Sequence, residues 1–149
     1  MVDLKDIKKL REQTKAGIMD CRKALQRAQG DFDKAKKYLK EKSIAIAAKK
    51  KNRETKAGLI EAYIHNGNQV GAIIKLSCET DFVAQTKELK ELAHELAMQA
   101  AAMKPKNVKK LLEQEYIRDS EKKVKDLVKE TIGKIRENIK VEEIARLEI

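Results

Sequence analysis

Between Leu59 and Cys78 two alternating runs flank an Asn-Gly turn, and few architectures other than a β-hairpin accommodate that pattern. Leu59, Glu61, Tyr63 and His65 alternate with Ile60, Ala62 and Ile64; beyond Asn66-Gly67-Asn68, the residues Val70, Ala72, Ile74, Leu76 and Cys78 occupy every second position. Successive side chains of a strand point to opposite faces, so this hairpin has one strongly apolar face that must be covered. Asn66 and Gly67 both tolerate the positive φ that a tight hairpin turn demands. The C-terminal tail returns to the same alternation. Ile139, Val141, Ala145, Leu147 and Ile149 share one parity, which predicts a third strand on the hairpin.

Helical periodicity supplies the cover. The first forty residues read as three short helices. Leu4, Ile7 and Leu10 line the first, which ends at Thr14-Lys15-Ala16-Gly17, where Gly17 can take a positive φ. Met19, Ala24, Leu25 and Ala28 line the second, which stops at Gly30; Asp31 then caps a third with Phe32, Ala35, Tyr38 and Leu39 inward. From Ser43 the sequence predicts a helical linker running into Lys49-Lys50-Lys51-Asn52-Arg53, a basic run that reads first as a solvated face. A long helix over residues 84–103 places Leu89, Leu92, Leu96, Ala100 and Met103 near one face and is stopped by Pro105. Another carries Val124, Leu127, Val128, Ile132 and Ile135. The expected class is α+β: a three-helix module (1–42), a basic helical linker (43–54) and a core (55–149) in which helices pack on a small three-stranded antiparallel sheet.

Composition narrows the function. The chain has 149 residues and a formal net charge of +10, so an acidic partner is expected: nucleic acid, an anionic membrane or an acidic protein. No apolar run reaches membrane-spanning length, and Asp3, Asp6 and Glu12 interrupt the early cluster of Lys5, Lys8, Lys9 and Arg11 in a way transit peptides avoid. The expectation is a cytoplasmic protein with no membrane contact. Cys21 and Cys78 lack metal-type spacing and read as reduced thiols. There is no phosphate-binding glycine loop, and neither His65 nor His94 pairs by spacing with a cysteine. A protein without enzymatic chemistry or cofactor, acting through binding, is the outcome.

The junction after the second strand carries the sharpest signal. Glu79-Thr80-Asp81-Phe82-Val83-Ala84 sets a carboxylate beside an aromatic at a strand-to-helix turn, where aromatics are only 3% of the chain. Two readings stand side by side. Phe82 plugs the local core while Asp81 caps the following helix, or Phe82 is a hydrophobic tooth offered to a partner with Asp81 as its charged tip.

Cys78-Glu79-Thr80-Asp81-Phe82-Val83-Ala84 resembles a signature of the elongation factor Ts family, and Leu10 through Leu25, including Thr14-Lys15-Ala16-Gly17-Ile18-Met19-Asp20-Cys21-Arg22-Lys23, resembles that family's N-terminal signature. The resemblance runs from about Ile7 to Pro105 and resumes from Leu111-Leu112-Glu113-Gln114 through Glu137-Asn138-Ile139 to the C-terminus. It implies a guanine-nucleotide exchange factor for elongation factor Tu, binding the GDP-bound and nucleotide-free forms. By this resemblance Thr80, Asp81, Phe82 and Val83 dislodge the partner's Mg²⁺, and Arg11, Gly17, Ile18 and Met19 grip its nucleotide domain. It also implies a three-helix module similar to ubiquitin-associated domains, and a homodimer, as in the short members. The chain departs from the family pattern at Lys15 (usually glycine), at Ile18 (usually methionine), at Gln85-Thr86, at Glu142-Glu143-Ile144, and in lacking most of a helical stretch before Leu111. The rival class is a basic ribosome- or RNA-binding protein. Tyr38, Tyr63, Tyr116, Phe32 and Phe82 form no stacking tract, so nucleic acid is not expected as the primary ligand.

Overall fold

The computed structural model describes all 149 residues, in α+β architecture. Three helices open the chain. α1 (Leu4–Thr14) starts at Asp3, whose carboxylate accepts from the Lys5 N–H; α2 (Ile18–Arg27) follows a short turn; α3 (Phe32–Lys50) starts at Asp31, which accepts from the Asp33 and Lys34 N–H groups. Ile7, Leu10, Cys21, Ala24, Leu25, Ala35 and Leu39 form their shared core. Leu4 and Met19, expected inward from periodicity, are 72% and 58% exposed. Each lies in the first turn of its helix, where Ile7 and Cys21 already fill the inner face. The left-handed residue between α1 and α2 is Lys15 (φ 58°), not Gly17, whose φ is −62°.

α3 does not stop with the first core. Its 19 residues extend roughly 28 Å as one helix. The C-terminal half sends Ile46 and Ala47 into the second, larger core. That half lies against α7 (Val124–Ile135) at close range: a Cβ on Gly133 would sit 2.5 Å from Ser43 Oγ and 2.8 Å from Ser43 Cα. Only glycine allows the two backbones so near.

The second core is built on a sheet. β1 (Ala57–Ile64) and β2 (Val70–Cys78) are antiparallel, and β5 (Ile139–Glu148) pairs on the other side of β2, giving the order β1-β2-β5. The third strand expected from the tail is present. In the hairpin loop the left-handed residues are Gly67 (φ 92°) and Asn68 (φ 57°), one position later than the Asn66-Gly67 pair the sequence suggests. A bulge between β2 and β5 corrects the tail's parity. Lys75 faces Glu143 and Leu76 faces Val141, so Glu142 is extra and the alternation slips by one. Ile139, Val141, Ile144 and Arg146 therefore turn inward, while Ala145 and Leu147 turn outward.

Helices cover one face of the sheet. α4 (Asp81–Ala84) is a single turn, followed after a break by α5 (Lys87–Met103), so the long helix expected over residues 84–103 begins three residues later with Thr86 as its own cap. Leu89, Leu92, Leu96 and Ala100 of α5 are buried over Ala72, Ile74 and Leu76 of β2, while Met103, the last residue of the helix, is exposed. Beyond Pro105 come α6 (Val108–Glu113) and a small hairpin of β3 (Glu115–Tyr116) and β4 (Asp119–Lys123), none of which periodicity announces. Gln99, wholly buried on α5, anchors this hairpin: its Nε2 donates to the Glu115 carbonyl (3.0 Å) and its Oε1 accepts from the Ile117 N–H (3.0 Å). The opposite sheet face carries Ile60, Ile64, Ile73 and Leu147 and has no cover.

Candidate functional site

The strand-to-helix junction is pinned by hydrogen bonds at its base and apolar at its tip. β2 ends at Cys78, and Thr80 is extended (φ −130°, ψ 152°) with its hydroxyl oxygen accepting from the Val83 N–H (3.3 Å). Thr80, not Asp81, is the cap of α4. Val83 and Ala84 face the core, 5% and 2% exposed, which leaves Asp81 and Phe82 outside. Phe82 is 83% exposed, so the core-plug alternative is overturned. A four-residue helix buries one side only, and here Val83 and Ala84 take that side. An exposed phenyl forgoes about 1.5–3 kcal/mol that burial supplies.

Carboxylates gather beneath the tip. Glu137 Oε1 accepts from the Glu79 N–H (3.1 Å) and the Thr80 N–H (3.0 Å), and its Oε2 accepts from the Thr80 hydroxyl (2.8 Å). Glu79 returns the contact, its Oε1 accepting from the Asn138 N–H (2.8 Å) while Oε2 lies 3.5 Å from Arg53. Burial pushes the Cys78 thiol up, and the charges of Glu137, Asp81 and Glu79 add to the shift. A thiol held protonated is a poor nucleophile. The thiol instead donates to the Thr80 carbonyl (3.3 Å). Nothing in the sequence marked Glu137 or Asn138 as part of this site, because they lie 57 to 59 positions from their partners.

The N-terminal candidates sit at another corner. Arg11 is exposed in the last turn of α1, Gly17 precedes α2, and Ile18 and Met19 are 52% and 58% exposed in its first turn. Two apolar side chains on a helix start, with the core already filled by their neighbours, present a small adaptable surface. The corner and the tip belong to different cores, and Asp20 connects their supports. Its carboxylate accepts from Lys42 of α3 and from Arg136 (3.2 Å), the residue before Glu137. Partial burial alone would raise the Asp20 carboxyl; the hydrogen bonds and charges of Lys42 and Arg136 outweigh it and hold it below the ordinary carboxylate range.

Between the two cores lies a cleft of about 720 Å³ whose wall includes Lys15, Lys36, Lys40, Lys122 and Lys134. Desolvation at the cleft wall lowers the Lys134 ammonium although the residue as a whole is exposed, and Lys122 and Lys15 lower it further against the opposing pull of Glu130 and Glu91. His65 accepts from or donates to the Tyr63 hydroxyl (3.0 Å), and His94 meets the same ring edge-on at 5.7 Å. Neither approaches Cys21 or Cys78 in a hydrogen bond, and both thiols are free and buried. No three His, Cys, Asp or Glu side chains converge as metal ligands, and no helix is long and apolar enough to cross a membrane.

Comparison with known proteins gives a consistent result. The sequence model of the family described as Elongation factor TS matches residues 79–149, the segment from the junction to the C-terminus. An Elongation factor Ts of a Thermoanaerobacter species is 40% identical over 193 aligned positions, covering 99% of this chain and 95% of the relative. That of Thermotoga maritima is 42% identical over 96% of this chain and 94% of its own length. That of Herpetosiphon aurantiacus is 38% identical over 99% and 98%. Alignments of 193 positions exceed the 149 residues present, so such relatives carry segments this chain lacks.

Proposed function

Since the chain belongs to the elongation factor Ts family of translation elongation factors, we propose that it is a guanine-nucleotide exchange factor acting on elongation factor Tu in the cytoplasm. The single observation that carries this reading is Phe82: an aromatic 83% exposed on a turn whose backbone is pinned by hydrogen bonds at Thr80 and Val83. A side chain so costly to expose is explained by a partner that buries it.

The physical logic is coupling between ligands. A protein that binds the nucleotide-free partner more tightly must weaken the partner's nucleotide by the same factor. Tight GDP binding depends on Mg²⁺, which demands near-ideal octahedral geometry around phosphate and protein oxygens. Phe82 wedged into the partner, with Asp81 beside it, shifts the metal's ligands and releases that affinity. Thr80 and Val83 act by shaping the turn, one as cap and one as buried foot. Arg11, Gly17, Ile18 and Met19 supply a second grip that contributes affinity. Residues 1–42 act as a module, with residues 43–54 as the connection and 55–149 as the exchange core. The chemistry of the nucleotide stays with the partner, so this chain needs no cofactor or catalytic group. The test is release of labelled GDP from purified elongation factor Tu. Acceleration that saturates with added protein supports the reading, and release at the intrinsic rate removes it.

A second copy of this chain is the other proposed partner. The uncovered sheet face with Ile60, Ile64, Ile73 and Leu147, flanked by the edge strand β5, offers both apolar packing and free backbone groups. Light scattering in reducing buffer checks it: a mass near 17 kDa at every dilution defeats the dimer. The RNA-binding alternative draws on the lysine-rich cleft, yet no aromatic ring lines that cleft. Strongly salt-dependent binding of generic RNA would favour it.

A further inference from the structure

We infer that Glu137 is a positioning residue for the exchange tip, and that the segment Arg136-Glu137-Asn138 ties the tip to the helices of the N-terminal module; this inference rests on the exchange reading above. A single-turn helix has no stability of its own, so the direction of Phe82 is set by what pins the turn. The pins are few. Val83 and Ala84 are buried, the Cys78 thiol and the Thr86 hydroxyl donate to the Thr80 and Val83 carbonyls, and three further contacts come from Glu137. One carboxylate oxygen takes both backbone N–H groups of Glu79 and Thr80, and the other takes the only proton of the Thr80 hydroxyl. With that proton committed, the hydroxyl must use a lone pair toward the Val83 N–H, which is the contact that caps α4. Glu137 thus fixes the backbone before Asp81 and also orients the cap after it. Hydrogen bonds to an ionised acceptor are roughly twice as strong as neutral ones.

Glu137 is itself held from both sides. Arg136, left-handed at φ 60°, ends α7 and donates to Asp20 of α2. Asn138, 3% exposed, gives its backbone N–H to Glu79 and its Nδ2 to the carbonyls of Lys51 (3.3 Å) and Arg53 (2.9 Å), just past the end of α3. Three consecutive residues therefore meet the module's second helix, the exchange tip and the end of the module's third helix. A displacement of the module is transmitted to the tip through hydrogen bonds rather than through a flexible connection.

Two variants separate positioning from mere stability. Glu137→Ala removes all three acceptor contacts. Glu137→Gln keeps a carbonyl oxygen for the two N–H groups and offers an N–H to the Thr80 oxygen. With elongation factor Tu·GDP, Glu137→Ala is expected to lower the plateau of stimulated GDP release at least tenfold, while half-saturation moves less than threefold. Glu137→Gln recovers most of the plateau. A purely structural role reduces the folded fraction, which raises half-saturation and leaves the plateau unchanged, and that result overturns the inference. So does an equal loss in both variants. A second measurement needs no partner: backbone amide hydrogen exchange by NMR. The Glu79 and Thr80 amides should exchange at least tenfold faster in Glu137→Ala, with the Leu76 amide unchanged as the reference for global opening. Unaltered Glu79 and Thr80 rates overturn the inference. If the wild-type protein leaves GDP release at its intrinsic rate, the exchange reading fails on that measurement alone, and the amide rates still decide whether Glu137 holds the turn.

Discussion

The turn bearing Phe82 and the corner bearing Ile18 and Met19 both expose apolar side chains, yet a different balance of local and long-range restraint holds each. The turn is fixed from a distance, by Glu137 and Asn138 arriving from the far end of the chain. The corner is fixed chiefly by its own short helix, from its start at Gly17 through the buried Cys21 and Leu25, with long-range ties only at Asp20, to Lys42 and Arg136. On the proposed exchange reading, a part that strains a metal site gains from long-range pinning, because a firmly held wedge transmits force into its target. A part that only adds contact area can rely on its own helix, and a flexible methionine suits it.

The largest effect that separates the two comes from Phe82→Ala. Truncating an interface anchor costs about 2 kcal/mol or more, roughly thirtyfold in rate. Stimulated GDP release should fall by at least that factor with an unchanged melting temperature, since the ring supports nothing in the free protein. A matching drop in melting temperature would return Phe82 to the core and erase the comparison.

Double truncation at the corner, Ile18→Ala with Met19→Ala, sharpens it from the other side. The expected result is a half-saturating concentration raised about tenfold, equivalent to ~1.4 kcal/mol of lost contact, with the plateau rate preserved. Equal losses of plateau at the corner and at the turn would show that both regions act as wedges. Removing the module by a cut at residue 48 is a poorer experiment. Such a cut takes Ile46 and Ala47 out of the second core along with the corner.

The smallest effect is in pH. The Asp20 carboxyl is lowered in the folded protein, so its contribution is complete above its unfolded value of about 4 and fades as pH falls through the folded value. Melting temperatures of the wild type and of Asp20→Asn should differ at neutral pH and converge in acid. Curves that stay parallel to low pH would mean that the Asp20 link to Lys42 and Arg136 adds nothing to docking.

Much of the fold was legible because it is written at short range. The hairpin over β1 and β2 follows from alternation around Gly67, and α5 and α7 follow from three- and four-residue spacing. The small hairpin of β3 and β4 was not legible, since its anchor is one buried Gln99 on a helix sixteen or more residues away, and α6, with Leu111 as its one buried residue, is too short to show a period. The tail was half legible. Its strand could be read, but beyond the bulge at Glu142 the residues that face the core are the opposite of those expected.

The candidate site divides along the same line. The sequence by itself determined that a carboxylate and an aromatic follow a strand at residues 81 and 82, and the motif's likeness to a family gave them a role. Only the tertiary structure decided that Phe82 points outward. Periodicity has no purchase on a four-residue turn, and the choice between core and solvent fell to Val83 and Ala84 filling the space beneath it. Only the tertiary structure brought Glu137 and Asn138 to the turn, because β5 pairs antiparallel with β2, Ile139 opposite Cys78, and so sets the residues just before β5 beside Glu79. Local patterns specify elements within a few residues; which distant side chains meet is settled when those elements pack.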